Sequence, residues 1–149
     1  MKPIEASSCC TPQDTAAHAA RAIRKSGCGC APVVENVESR KLVGVVTERD
    51  VCCGVAADDR RASEVRVEEI MRAPSACCGA DEPVEEARRK LHEHRATSLP
   101  VVNKAGGCCG TVSLGRSVVI VCDSMHRIVV AEKDCELHSP VWGLHRLGK

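Results

Sequence analysis

A pattern in the first half of the chain returns in the second, and few architectures accommodate it. Cys9-Cys10 precedes a helix-type stretch at 14–23 and then Ala31-Pro32-Val33-Val34. Shifted by 68 positions, the order recurs as Cys77-Cys78, a helix-type stretch at 82–91, and Leu99-Pro100-Val101-Val102. Ala19 falls on Ala87, Ile23 on Leu91 and Pro32 on Pro100. Gly44-Val45-Val46-Thr47 is then echoed, at a slightly shorter offset, by Gly110-Thr111-Val112-Ser113. A repeat of this length denotes two supersecondary units, each too small to bury its own apolar face, that pack together.

Each unit reads as β-α-β-β-α, so the expected class is α+β. Asp14 is the expected N-cap of a first helix reaching about Lys25, with Ala16, Ala19, Ala20 and Ile23 on one face and Gly27 as its stop. The apolar runs 31–34 and 42–46 read as a hairpin, and Thr47-Glu48-Arg49-Asp50 opens a second helix. A charged linker at 58–62 and a short helix at 67–71 lead into the second unit. There Asp81 is the expected cap of a helix with Val84, Ala87 and Leu91 inward, and strands follow at 99–102 and 109–114. Where a final helix would come, Arg116-Ser117-Val118-Val119-Ile120-Val121 is β-branched and disfavours one. The expected division is 1–66 and 67–116 for the two repeats, with 117–149 as an appended tail.

Composition excludes several function classes. A net charge of +1 supplies no basic excess for phosphate backbones, and with one Trp, no Phe and no Tyr there is no stacking platform for bases. Nucleic acid is therefore not an expected partner. No apolar run approaches membrane-spanning length, and the start Met1-Lys2-Pro3-Ile4-Glu5 lacks the apolar core of an export signal, so a cytoplasmic protein without a membrane partner is expected. Twelve cysteines include four adjacent pairs (Cys9-Cys10, Cys52-Cys53, Cys77-Cys78, Cys108-Cys109), whose members would point to opposite faces of a strand, and no Cys-x-x-Cys occurs. Cysteine is accordingly read here as a small buried hydrophobe.

In its order of motifs the repeat resembles the cystathionine-β-synthase (CBS) domain, which occurs as a tandem pair. The resemblance covers roughly residues 2–114 and is carried by Gly27-Cys28-Gly29-Cys30-Ala31-Pro32-Val33-Val34, by Leu42-Val43-Gly44-Val45-Val46-Thr47-Glu48-Arg49-Asp50, and by the inter-repeat Val65-Arg66-Val67-Glu68-Glu69-Ile70-Met71. It implies two β-α-β-β-α repeats about a pseudo-two-fold axis, assembled as a homodimer. It also implies a non-catalytic regulatory module, with no required cofactor, whose cleft takes an adenosine-containing ligand such as AMP, ATP or S-adenosylmethionine.

The same resemblance assigns the ligand's ribose to Asp50 and gives Thr47 a share in holding ribose or phosphate. A carboxylate accepts two hydrogen bonds from a vicinal diol, and the helix start beside it favours an anion. Arg49 adds a planar fork for phosphate, while Thr11, Cys28, Cys30 and Pro32 are candidates for an adenine pocket. Thr47-x-x-Asp50 is equally a capping box, and the two roles are compatible. In the second repeat Ser113 keeps the hydroxyl, but Arg116 stands where the acid would be, and arginine cannot accept a hydrogen bond. One ribose site is expected rather than two, with phosphate on Arg116 as the way to use the second cleft.

Two other classes stay open. One is a cysteine-based metal or redox sensor that uses the cysteine doublets; separately, Cys122, His126, Cys135 and His138 in the tail offer a zinc-type quartet of unfamiliar spacing. The other is a structural dimerisation module with a degenerate cleft. His18, His92 and His94 are read as solvated.

Overall fold

The repeat in the sequence is a repeat in hydrogen bonding. The computed structural model describes residues 9–113, 118–122 and 128–132. Helix α1 (Ala16–Ser26) leads to β1 (Cys30–Val34), β2 (Leu42–Thr47) and α2 (Glu48–Ala56), and the four-residue α3 (Val67–Ile70) closes the first half. The second half carries β3 (Cys78–Gly79), α4 (Val84–Glu93), β4 (Ser98–Val102) and β5 (Cys108–Ser113). Strands β6 (Val118–Cys122) and β7 (Ile128–Glu132) form an antiparallel hairpin after it.

Corresponding residues make corresponding pairs. Cys10 bridges Val33 in parallel, and Cys78 pairs with Val101 in parallel. In β1–β2, Ala31 faces Val46, Val33 faces Gly44, and a bulge follows before Val34 meets Leu42. In β4–β5, Leu99 faces Val112, Val101 faces Gly110, and the same bulge precedes Val102 against Cys108. A bulge conserved between two copies sets strand twist and register in each. Pro32 and Pro100 are fully buried, held mid-strand where the hairpin partner does not need their missing N–H.

Each half has its own core built from the same positions. Cys10, Ala19, Ala22, Ile23, Ala31, Val33, Val46 and Val67 pack together in the first. Cys78, Ala87, Leu91, Leu99, Val101 and Val112 pack in the second. With no Phe or Tyr available, short aliphatic chains and thiols fill the space between helix and sheet.

The helix ends differ from their expected positions in instructive ways. Thr15, not Asp14, caps α1 by accepting the His18 N–H, because the Asp14 carboxylate accepts from Thr11 N at 2.7 Å instead. Pro83 precedes α4 without a side-chain cap, so Asp81 does not serve there. Gly27, at φ 68°, ends α1 in the left-handed conformation, with its N–H donating to Ile23 O. The β-branched run near residue 118 is a strand, as its composition indicates.

The linker binds the halves together. Val45 N donates to Arg72 O at 2.8 Å and Arg72 N to Val45 O at 3.0 Å, so the segment leaving α3 runs beside β2. Gly44 permits this approach, since a Cβ there would lie 3.0 Å from the Arg72 carbonyl oxygen. Beyond it, Cys108 N donates to Arg40 O at 2.8 Å, joining the two hairpins. Among the described residues no helix is long and apolar enough to cross a membrane.

Leu91 is among the largest fully buried side chains and anchors α4 on its sheet. Leu91→Ala is expected to destabilise the protein by about 3 kcal/mol, lost transfer energy plus the cavity left behind. Urea unfolding of the two proteins measures it, with an unchanged midpoint as the contrary result.

Candidate functional site

The linker bridge opens a cleft between the halves. It has a volume of about 520 Å³ and is lined by the β1–β2 ends, the start of α2, the linker at 72–75 and the segment 94–100. That is the size of a small-ligand pocket.

Thr47, last residue of β2 and N-cap of α2, forms the hinge of one wall. Its hydroxyl oxygen accepts from Asp50 N at 3.2 Å, while Asp50 Oδ2 accepts from Thr47 N at 2.9 Å and from the Thr47 hydroxyl at 2.8 Å. This completes the capping box. Asp50 is nonetheless mostly buried, and its other oxygen, Oδ1, accepts Arg72 Nε at 2.6 Å and also Arg72 Nη2. Burial alone would push the Asp50 carboxyl up. The bonds from Arg72 and from the Thr47 N–H and hydroxyl outweigh it and hold the group below its ordinary 3.8.

The cleft is basic. Arg49, Arg72, Arg95 and His94 line it against a single acid, Glu48. Arg95 has φ 49°, a left-handed conformation that costs a non-glycine residue about 1 kcal/mol. Its counterpart in the first repeat is Gly27, 68 positions earlier, at φ 68°. The second copy thus holds an arginine where the first uses a glycine for the same bend.

The floor is neutral. Cys30, paired with Thr47, is kept in its thiol form by burial, which the Ser98 contact only partly offsets and which Cys28 reinforces. Ser98, also lining the cleft, pairs with Ser113 across β4–β5.

Of the residues singled out by sequence, Thr47, Arg49 and Cys30 line the cleft, and Asp50 stands behind Thr47 and Arg72. Thr11, Cys28, Pro32 and Ser113 are not among its lining residues. Thr11 is engaged with Asp14, and the Cys28 thiol lies against Ser26 O at 3.6 Å. Pro32 and Ser113 are buried within their strands. Arg116 lies outside the described residues. Arg72, His94, Arg95 and Ser98 enter the cleft without having been singled out as binding residues. Only Arg95 carried a signal, as a cation on the repeat position of a glycine.

Three of the cysteine doublets divide as alternation requires. Cys10, Cys78 and Cys108 are buried, whereas Cys9, Cys77 and Cys109 are half-buried. Burial raises the Cys10 thiol to about 12 and the Cys78 thiol to about 11, so both stay protonated and act as packing. Cys52 and Cys53, on α2, are exposed. No group of three or more His, Cys, Asp or Glu among the described residues is arranged to hold a metal ion. His126, Cys135 and His138 of the zinc-type quartet lie outside those residues.

Two halves of like topology enclosing a cleft beside one boxed helix start define a tandem-repeat module. The CBS-domain family model matches residues 3–55 and 67–116, and the chain belongs to that family as a tandem pair. A CBS-domain protein from Burkholderia ambifaria MC40-6 has the same fold, with TM-score 0.59 and 31% identity over 72% of this chain and 76% of that one. Inosine-5'-monophosphate dehydrogenase from Streptococcus pyogenes is 32% identical over 104 residues. The match takes in 70% of this chain but 20% of that enzyme, so the chain spans about a fifth of the curated relative's length. PAE2072 from Pyrobaculum aerophilum, a CBS-domain protein solved in complex with AMP, shares the fold at TM-score 0.60 and 23% identity, over 76% of this chain and 82% of that one.

Two expectations follow. Because the Asp50 carboxyl loses its proton more readily in the fold than in the unfolded chain, its stabilising contribution is complete well above 3.8 and is lost as pH falls through its depressed folded value. Asp50→Asn should therefore flatten part of the loss of stability as pH falls below about 5, followed by urea midpoints. A wild-type slope retained in the variant would contradict the assignment. At dilutions where the chain is monomeric, thiol titration with an aromatic disulfide should lose two fast-reacting equivalents in the Cys52→Ser/Cys53→Ser protein. An unchanged fast phase would mean that those thiols are covered.

Proposed function

We propose that the chain is a non-catalytic regulatory module that binds an adenosine-containing nucleotide in the cleft between its repeats, with the ribose at Asp50 and the phosphate among Arg49, Arg72 and Arg95. The observation that carries this reading is the joining of a capped carboxylate to a basic cleft of nucleotide size. The first part suits a vicinal diol, and the second suits an anion beside the α2 N-terminus. The strained Arg95 adds weight, because strain kept at a cleft position is commonly offset by a functional contact. The AMP complex of PAE2072 is an example of what this fold houses in a relative.

The module is proposed to act as a homodimer. Helix α2 turns Val51 toward the first core but leaves Cys52, Cys53 and Ala56 exposed and Val55 half-buried, an apolar face that a second copy would cover. AMP, ATP and S-adenosylmethionine share the ribose that Asp50 would hold, so the reading extends to the class.

At a hundredfold excess over Kd, a bound nucleotide should raise Tm by about 5–10 °C. Asp50→Asn keeps an oxygen for the Thr47 N–H but removes the second acceptor, and should abolish that rise. Arg95→Gly relieves the left-handed strain, so it should raise the ligand-free Tm while weakening nucleotide binding. A screen of AMP, ADP, ATP and S-adenosylmethionine that leaves the wild-type Tm unmoved would overturn the reading. So would an equal shift in wild type and Asp50→Asn.

A further inference from the structure

We infer that Arg72 is a latch on the cleft that makes binding depend on a phosphate: it occupies the Asp50 carboxylate until a ligand's diol displaces it and the ligand's phosphate receives its guanidinium. The inference deepens the nucleotide reading above and depends on it.

An ionised carboxylate has about four acceptor sites. All four are engaged at Asp50. Oδ2 takes the Thr47 N–H and hydroxyl, and Oδ1 takes Arg72 Nε and Nη2. A ribose presenting two hydroxyls therefore finds no free acceptor, and one set of bonds must yield. The Thr47 pair is the cap of α2 and is local to three residues, so releasing it would fray the helix start. The Arg72 pair joins residues 22 apart, and the Arg72 side chain is 59% exposed against 8% for Asp50. Its backbone is fixed by the Val45 bridge, so the side chain can leave without unthreading the linker. The arginine is the partner that gives way.

Once released, its guanidinium stays in a cleft whose other charged lining groups include Arg49 and Arg95 and only one acid, Glu48. A neutral nucleoside would leave that cation without the partner it gave up. A nucleotide replaces the carboxylate with a phosphate, to which an arginine fork is well matched. The exchange thus favours phosphorylated ligands twice over, through the attraction of the phosphate and through the penalty on ligands that lack one.

Calorimetry with adenosine and AMP as probes, on wild type, Arg72→Gln, Arg72→Lys and Asp50→Asn, tests this. Removing the latch in Arg72→Gln should tighten adenosine and weaken AMP, lowering the AMP-to-adenosine affinity ratio by about tenfold. Arg72→Lys, which keeps the charge without the fork, should fall between and serves if the Gln variant is poorly folded. In wild type the two probes should respond oppositely to added salt, since screening loosens the latch for adenosine but weakens the phosphate contact of AMP. Adenosine binding seen only in Arg72→Gln supports the latch as well. If Asp50→Asn abolishes binding but Arg72→Gln leaves the ratio at its wild-type value, the latch is wrong and the nucleotide site stands. Should neither probe bind wild type or Arg72→Gln, both fall together.

Discussion

The two hydrogen bonds between Val45 and Arg72 govern most of what lies around them. They tie the linker to β2 by one antiparallel bridge, and so fix where the second repeat begins relative to the first. Because Arg72 is the residue so held, its side chain starts beside the helix that β2 runs into. The same bridge delivers a cation to Asp50 and sets the width of the cleft. Gly44 is the condition for this, because any side chain there would meet the Arg72 carbonyl. A chain that lost the bridge would keep two small cores but lose the geometry between them.

The cores were legible because they obey a rule that a sequence displays directly. Residues 68 positions apart, such as Cys10 and Cys78, Ala19 and Ala87, Ile23 and Leu91, or Val33 and Val101, occupy like positions in the two clusters. Strand alternation also explains why three of the cysteine doublets have one buried and one half-buried member. Helix starts were less legible. Asp14 and Thr15 are neighbours with similar capping ability, and the choice turns on Thr11, whose N–H claims the Asp14 carboxylate. At α4 the expected cap, Asp81, gives place to Pro83, which precedes the helix without a side-chain bond.

The cleft was legible only on the side that a motif describes. Thr47 and Asp50 are three residues apart, so their pairing is local and their spacing announces it. Arg72 reaches Asp50 across 22 residues, and nothing in the linker composition marks it as a partner for that carboxylate. His94 is exposed, as a solvated histidine should be, but its place on the cleft rim was not visible because much of that rim comes from the other repeat and the linker. Arg95 is different. Its alignment with Gly27 placed a bulky cation at a bend that favours glycine, a departure visible in the sequence whose meaning needs the backbone angle.

That departure bears on how such a module could report its own occupancy. The acid and its cap come from the first repeat, whereas Arg72 and Arg95 come from the linker and the second. A ligand with a diol at one end and a phosphate at the other would therefore join elements that, without it, meet mainly through the linker bridge and the contact of the two hairpins. Each half has a separate core, so a ligand that spans the joint would act on the relative placement of the halves, and its differential affinity for the closed arrangement sets the largest shift it can produce. Placing the charges on opposite sides of the joint, rather than within one repeat, is what would let binding energy act on the arrangement of the pair.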